Sequence, residues 1–274
     1  MPDLFQTYVI HFSPLEERRK FLESNLDSSL SVEWITESNF VPGIVHYNLN
    51  PNVFSVSPAR ISMDVRNNGR SMTVSRKRAL IEGVLLYLLS SIPKFRNFRF
   101  SSLPDVSELP AAILELGEMH VSALRKALLE ECPWALVLED DAIPKANWVS
   151  RVSQIVESEW PKQPIWINLN SGADLQPTAS DKKHDKLDLF QIKPPATRCS
   201  TAYLVNKEYI SCFIELVNLY GLPAWLPMDY IFQVANRKLR AKSFWAEPEV
   251  FTQGSETGHY LSNLSNKRDK KFLN

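Results

Sequence analysis

Three carboxylates, Glu139, Asp140 and Asp141, stand side by side directly after the apolar run Trp134-Ala135-Leu136-Val137-Leu138. Like charges at the end of a buried strand repel, so they must be solvated or neutralised. In open α/β sheets, ligands gather at the carboxyl ends of strands. Carboxylate oxygen is the natural donor to hard divalent cations such as Mg²⁺ and Mn²⁺. Such an ion can bridge nucleotide phosphates and stabilise charge that develops on them as they leave. The plain alternative is a solvated loop that supplies an acidic N-cap to a helix starting near Asn147.

The elements that would position this triad follow from periodicity and punctuation. Residues 7–12 read as a short buried strand. Ser13 and Pro14 then match an N-cap and first helical position, which predicts a helix through Phe21. A second strand is expected at 32–35, completing a strand–helix–strand unit. Residues 113–131 carry leucines and Val121 near helical spacing, and Pro133 ends that helix. The run 134–138 is apolar without interruption, as in a central strand covered on both faces. Strands are expected at 165–169, 187–192, 201–205 and 241–246. Helices are expected at 207–220, capped by Asn206, and at 229–236.

Between these elements, residues 40–69 and 95–110 are rich in proline and asparagine and read as loop. Residues 72–91 read as a helix. Residues 262–274 read as a mobile basic tail. With neither internal repeat nor low-complexity linker, residues 1–261 are expected to form one domain.

Composition narrows the function by exclusion. The chain has 274 residues, 44% hydrophobic and 23% charged, with Lys+Arg and Asp+Glu each at 31. That balance gives no global attraction to nucleic acid. Cys132, Cys199 and Cys212 show no metal-ligand spacing and suit a reducing compartment. No signal peptide is evident, and the longest apolar stretch, 79–92, is short of the roughly 20 residues a membrane span needs. A cytoplasmic location is expected. Between 56 and 100, nine basic residues face only Asp64 and Glu82. This local basic surface would suit an anionic glycolipid or the headgroups of the inner face of a membrane, or is simply a solvated face beside a core helix.

The run LVLEDD at 136–141 resembles the signature of glycosyltransferase family 25, which includes bacterial lipopolysaccharide glycosyltransferases and collagen galactosyltransferases. Other places agree in order. Val9-Ile10 with Glu17-Arg18-Arg19 resembles the opening strand and helix start, and Gly117-Glu118 with Ser122 resembles the helix before the acidic motif. Ala202 to Val205, Leu226 to Asp229 and Pro248 to Gln253 resemble three later elements. His11-Phe12 after the first strand and Ala123 after Ser122 depart from the family pattern, and the segment 48–110 matches no part of it and has the look of an insertion.

The resemblance implies an α/β fold of the GT-A type, with a mostly parallel central sheet flanked by helices. It implies a divalent metal cofactor, a UDP-sugar donor with galactose favoured, and a saccharide or glycolipid acceptor. On this basis Asp141 would bind the metal, with Glu139 or Asp140 at the ribose or a metal-bound water. Arg18 would pair with diphosphate, and His259 would be a late metal ligand. Asp229 would be the general base that deprotonates the attacking hydroxyl, or else a residue that complements its helix dipole.

His11, at the end of the first strand, would line the nucleotide cleft or, more simply, be a satisfied structural histidine, and His120 reads as structural. Trp225 and Trp245 offer aromatic faces for an acceptor sugar or for the core. Two other readings stand beside transfer of a hexose: a nucleotidyltransferase, which would be expected to carry a glycine-rich loop after the first strand, and a catalytically silent carbohydrate-binding protein of the same fold.

Overall fold

The structure is a computed structural model that describes residues 4–37, 111–172, 175–193, 195–222 and 227–260. Its elements in order are β1 (Phe5–Ile10), α1 (Glu16–Asn25), β2 (Val32–Ile35), α2 (Ala111–Leu129), β3 (Trp134–Glu139) and β4 (Ala142–Pro144). There follow α3 (Trp148–Glu157), β5 (Ile165–Asn168), β6 (Lys182–Lys183), β7 (Leu189–Gln191) and β8 (Ala202–Asn206). The described chain closes with α4 (Lys207–Tyr220), α5 (Met228–Lys238), β9 (Lys242–Ala246) and β10 (Phe251–Gln253).

Eight strands form one sheet in the order β2-β1-β3-β8-β5-β9-β7-β6, while β4 and β10 pair in a separate ribbon. The α/β class holds, but the expectation of a mostly parallel sheet does not. Parallel pairing joins β1 to β2, β1 to β3 and β5 to β9; the β3–β8, β8–β5, β9–β7 and β7–β6 pairs are antiparallel. Strands β2, β1, β3, β5 and β9 nonetheless run the same way, with β8 reversed between β3 and β5. The carboxyl ends of those five strands therefore share one edge with the amino end of β8.

Alternation along the strands explains why the middle of the sheet is apolar throughout. In β3, Ala135 and Val137 face one core, with Val121 and Leu124 of α2, Phe213 of α4 and Phe232 of α5. Trp134, Leu136 and Leu138 face the other, with Leu22 of α1 and Trp148, Val152 and Ile155 of α3. Both faces are covered, so a period of two in side-chain direction leaves no polar stripe.

Several boundaries match the sequence reading closely. The helix 207–220 is capped by Asn206, whose side-chain oxygen accepts from Tyr209 N at 3.0 Å. The proposed start of α1 is corrected: it begins at Glu16 after Leu15, with no side-chain cap, so Ser13 and Pro14 lie in the preceding turn. Ser13 Oγ instead reaches the Thr36 carbonyl at 3.5 Å. Expectations for the basic segment, the 72–91 helix, Trp225 and the tail lie outside the described residues. Among the described residues, no helix is long and apolar enough to cross a membrane, and Cys132, Cys199 and Cys212 are free thiols.

Candidate functional site

The acidic triad sits where three strand ends meet. Ile10 is in register with Glu139 across the β1–β3 pair, so the next residues, His11 and Asp140, emerge as neighbours. His11 Nδ1 lies 3.1 Å from Asp140 Oδ2, and the same oxygen accepts from the Phe12 N–H at 3.1 Å. The Arg18 guanidinium, one turn into α1, donates to Asp140 Oδ1 at 2.8 Å. Asp140 is thus held on both oxygens and only 6% exposed. A solvated acidic loop is ruled out for this motif. Arg18, expected at a diphosphate, uses Nη1 to hold Asp140.

Glu139 shares the strand parity of Val137 and so faces α2 and α5. Its Oε1 accepts from Ser200 Oγ at 2.6 Å and lies 3.2 Å from His120 Nε2. Ser200 is there because β8 runs antiparallel to β3, with Leu138 opposite Ala202. Burial, followed by repulsion from Asp140, pushes the Glu139 carboxyl up to about 7, against the opposing pull of the Ser200 hydrogen bond and the Arg18 charge. Burial drives the His120 imidazole down to about 3, so it is neutral across ordinary pH. Its Nδ1 lies 3.0 Å from the Tyr203 hydroxyl, and its ring stacks on the Tyr203 ring.

Asp141 is positioned by the β4–β10 ribbon. Gln253 pairs with Ala142, which brings Gly254 N to 2.8 Å from the Asp141 carbonyl. Ser255 Oγ donates to Asp141 Oδ2 at 2.7 Å, while the enclosed Oδ1 has no hydrogen-bond partner. Burial, then the charge of Glu139, raises the Asp141 carboxyl to about 6.

Asp229, the second residue of α5, joins the same cluster. Burial first, and then Glu139, raises it to about 6, while Ser200 and His120 pull it back. Its Oδ1 is also enclosed without a hydrogen-bond partner. Thr197 Oγ1 donates to the Asp229 carbonyl at 2.7 Å and fixes that end of the helix.

The structure therefore brings Arg18, Glu139, Asp140, Asp141 and Asp229 into one neighbourhood. His259 stands at its margin. Its exposed ring packs against Phe21 and Tyr260, with ring centroids 5.2 and 4.7 Å away. Among the described residues, no group of three or more His, Cys, Asp or Glu is arranged to hold a metal ion. Trp245 is a core residue: it is fully buried, its indole N–H donates to the Ala196 carbonyl at 2.9 Å, and the Arg198 guanidinium covers its ring. It has no face left for a sugar.

Five site residues were not assigned to the site from sequence. His11 and His120 were read chiefly as structural, and Ser200, Ser255 and Tyr260 carry no local signal. Tyr260 closes the site laterally: its N–H donates to the Gly254 carbonyl at 3.0 Å and Arg18 lies over its ring.

Carboxyls raised to between about 6 and 7 can take up and release protons near neutral pH, the range useful to a general base. Compared with models of known protein families and with curated proteins, the chain matches none.

Proposed function

We propose that the protein is a metal-assisted glycosyltransferase of GT-A-like fold, moving a hexose from a nucleotide diphosphate sugar to a saccharide or glycolipid hydroxyl. The observation that carries this reading is a pair of enclosed carboxylate oxygens, Asp141 Oδ1 and Asp229 Oδ1. Neither has a hydrogen-bond partner, and both belong to one carboxylate cluster at the carboxyl edge of the sheet. The five co-directional strands that end at this edge support the fold assignment.

The donor set suits a hard cation. Mg²⁺ and Mn²⁺ at nucleotide sites are commonly held by one or two protein carboxylates plus substrate phosphates and water. Asp141 fits this role, because its free oxygen is enclosed and its ionisation is made costly by burial and by Glu139. His259, packed on aromatic rings, is a secondary candidate. When bound, the ion would supply positive charge to the departing diphosphate.

The remaining roles fall to the chain's own groups. Asp229, raised to about 6, is ionised at pH 7 yet more basic than an ordinary aspartate. In the proposed reaction its carboxylate takes the proton of the acceptor hydroxyl. That oxygen bonds to the anomeric carbon as the bond from this carbon to the diphosphate oxygen breaks. Glu139 or Asp140 would stand at the ribose or at a metal-bound water. Arg18 and His11 hold Asp140 in place, and neutral His120 with Ser200 fixes Glu139. UDP-galactose is the donor put forward, and the protein would work in the cytoplasm, peripheral to the inner face of a membrane.

The test is a thermal-shift screen of nucleotide sugars with and without Mn²⁺, on the wild type and Asp141→Ala. A ligand that binds only the folded state raises the melting temperature by mass action. A metal-dependent shift with one UDP-sugar, lost in Asp141→Ala, is expected. No shift with any nucleotide sugar in a folded sample would overturn the proposal and favour a silent binding protein.

A further inference from the structure

Opposite the acidic edge, where β5 and β9 begin and β7 ends, the sheet carries a cavity of about 380 Å³. It lies between Gln163, the last turn of α5 and the first residues of β9. Arg237, Arg240 and Lys242 contribute positive charge to its lining, and among the described residues no Asp or Glu lines it.

Two of its polar side chains are deeply buried. Asn236 is 0% and Ser243 1% exposed, and neither amide atom of Asn236 nor the Ser243 hydroxyl has a hydrogen-bond partner. The Gln163 Nε2 is likewise enclosed without one. Buried polar groups are nearly always paired, because leaving them dry and unpaired is costly. Several such groups converging on one basic cavity point to a polar ligand. The carbonyl end of α5 carries about half a negative charge, which the three cationic side chains outweigh. Leu239 N and Ala241 N occupy the Ala235 and Asn236 carbonyls, each at 2.8 Å.

We propose that this cavity is a second binding site, and that it takes a small anionic sugar bearing a carboxylate or a phosphate. The guanidiniums and the lysine match the anionic group, which favours charge-assisted and bidentate bonds. Asn236, Ser243 and Gln163 offer both donors and acceptors, as a row of sugar hydroxyls requires. The site is independent of the acidic edge and does not rest on the transferase reading.

Titration calorimetry with glucose 6-phosphate, glucuronate, glucose and inorganic phosphate tests it. At least one charged sugar is expected to bind, with glucose about tenfold weaker or more. Whichever charged sugar binds more tightly identifies the anionic group.

Arg240 is exposed, so Arg240→Glu leaves the core intact, and it is expected to weaken binding by about tenfold or more. Ser243→Ala is expected to weaken it severalfold, and Asp229→Asn, at the other edge, to leave it unchanged. Three results would overturn the proposal. One is no heat from either charged sugar at about 10 mM, a concentration that would reveal even weak sites. Another is binding lost in Asp229→Asn but kept in Arg240→Glu. The third is inorganic phosphate binding as tightly as glucose 6-phosphate, which would mark a bare ion site.

Discussion

Asp229→Asn is expected to make the protein more stable above neutral pH while sharply lowering the proposed transferase activity. Asp229 titrates at about 6 when folded, against 3.8 for its ordinary value, chiefly because of burial and then because of Glu139. Below pH 3.8 the group is protonated in both folded and unfolded chains and carries no penalty. As pH rises through about 6, the folded protein must ionise a group that the unfolded chain ionises freely, so the penalty grows to its full size. The gap corresponds to about 3 kcal/mol. Asp229 and Glu139 titrate as a coupled pair, so part of this penalty belongs to Glu139 and the expected gain is about 1–2 kcal/mol.

Asparagine keeps the shape and still accepts from Ser200, so the variant is expected to melt roughly 2–4 °C higher at about pH 8. No gain is expected at about pH 3.5. Turnover should fall by about 10²–10⁴, the usual worth of a general base. Circular-dichroism melts in EDTA at both pH values, with a nucleotide-sugar turnover assay, make the comparison. A lower melting temperature at the alkaline pH, or an equal gain in acid, would refute the electrostatic reasoning. A folded variant turning over within about twofold of wild type would remove Asp229 as the base.

Further outcomes concern the groups that hold the triad. In Gly254→Ala the new Cβ would come within 2.4 Å of the Tyr260 ring and 3.1 Å of the Asp141 carbonyl. A stability loss of about 1–3 kcal/mol is expected in denaturant melts, and an unchanged midpoint would show that Tyr260 yields freely. Arg18→Ala breaks a buried ion pair and leaves Asp140 to His11 and the Phe12 N–H. It should cost about 3–5 kcal/mol, and a loss within about 0.5 kcal/mol, typical of surface pairs, would count against the pairing. His120 is held down to about 3 by burial, against 6.5 when free. Its contribution to stability is whole above pH 6.5 and is lost as pH falls towards 3. Its ring nitrogens should keep the neutral NMR signature down to about pH 4, and titration near 6.5 would contradict that burial.

The sequence by itself determined the local parts of this protein. The unbroken apolar run before Glu139 marked β3 as covered on both faces, and Asn206 marked the start of α4, because propensity, capping and burial pattern act over a few residues. It also marked the acidic triad, since three adjacent carboxylates after a buried strand are a local anomaly. Strand direction was not legible. A strand covered on both faces shows the same apolar run whether it pairs parallel or antiparallel, so the reversal of β8 left no trace in its residues. The three-residue strands β4 and β10 were too short to show a period.

Tertiary structure alone decided which groups meet the triad. His120, Ser200 and Ser255 reach it across 19, 61 and 114 residues of chain. Protonation was decided at the same level. Glu139, Asp141 and Asp229 are ordinary carboxyls in the sequence, and they become near-neutral titrating groups only when the fold buries them beside one another. Residue types are written in the chain, but desolvation and the distance between charges exist only once it has folded.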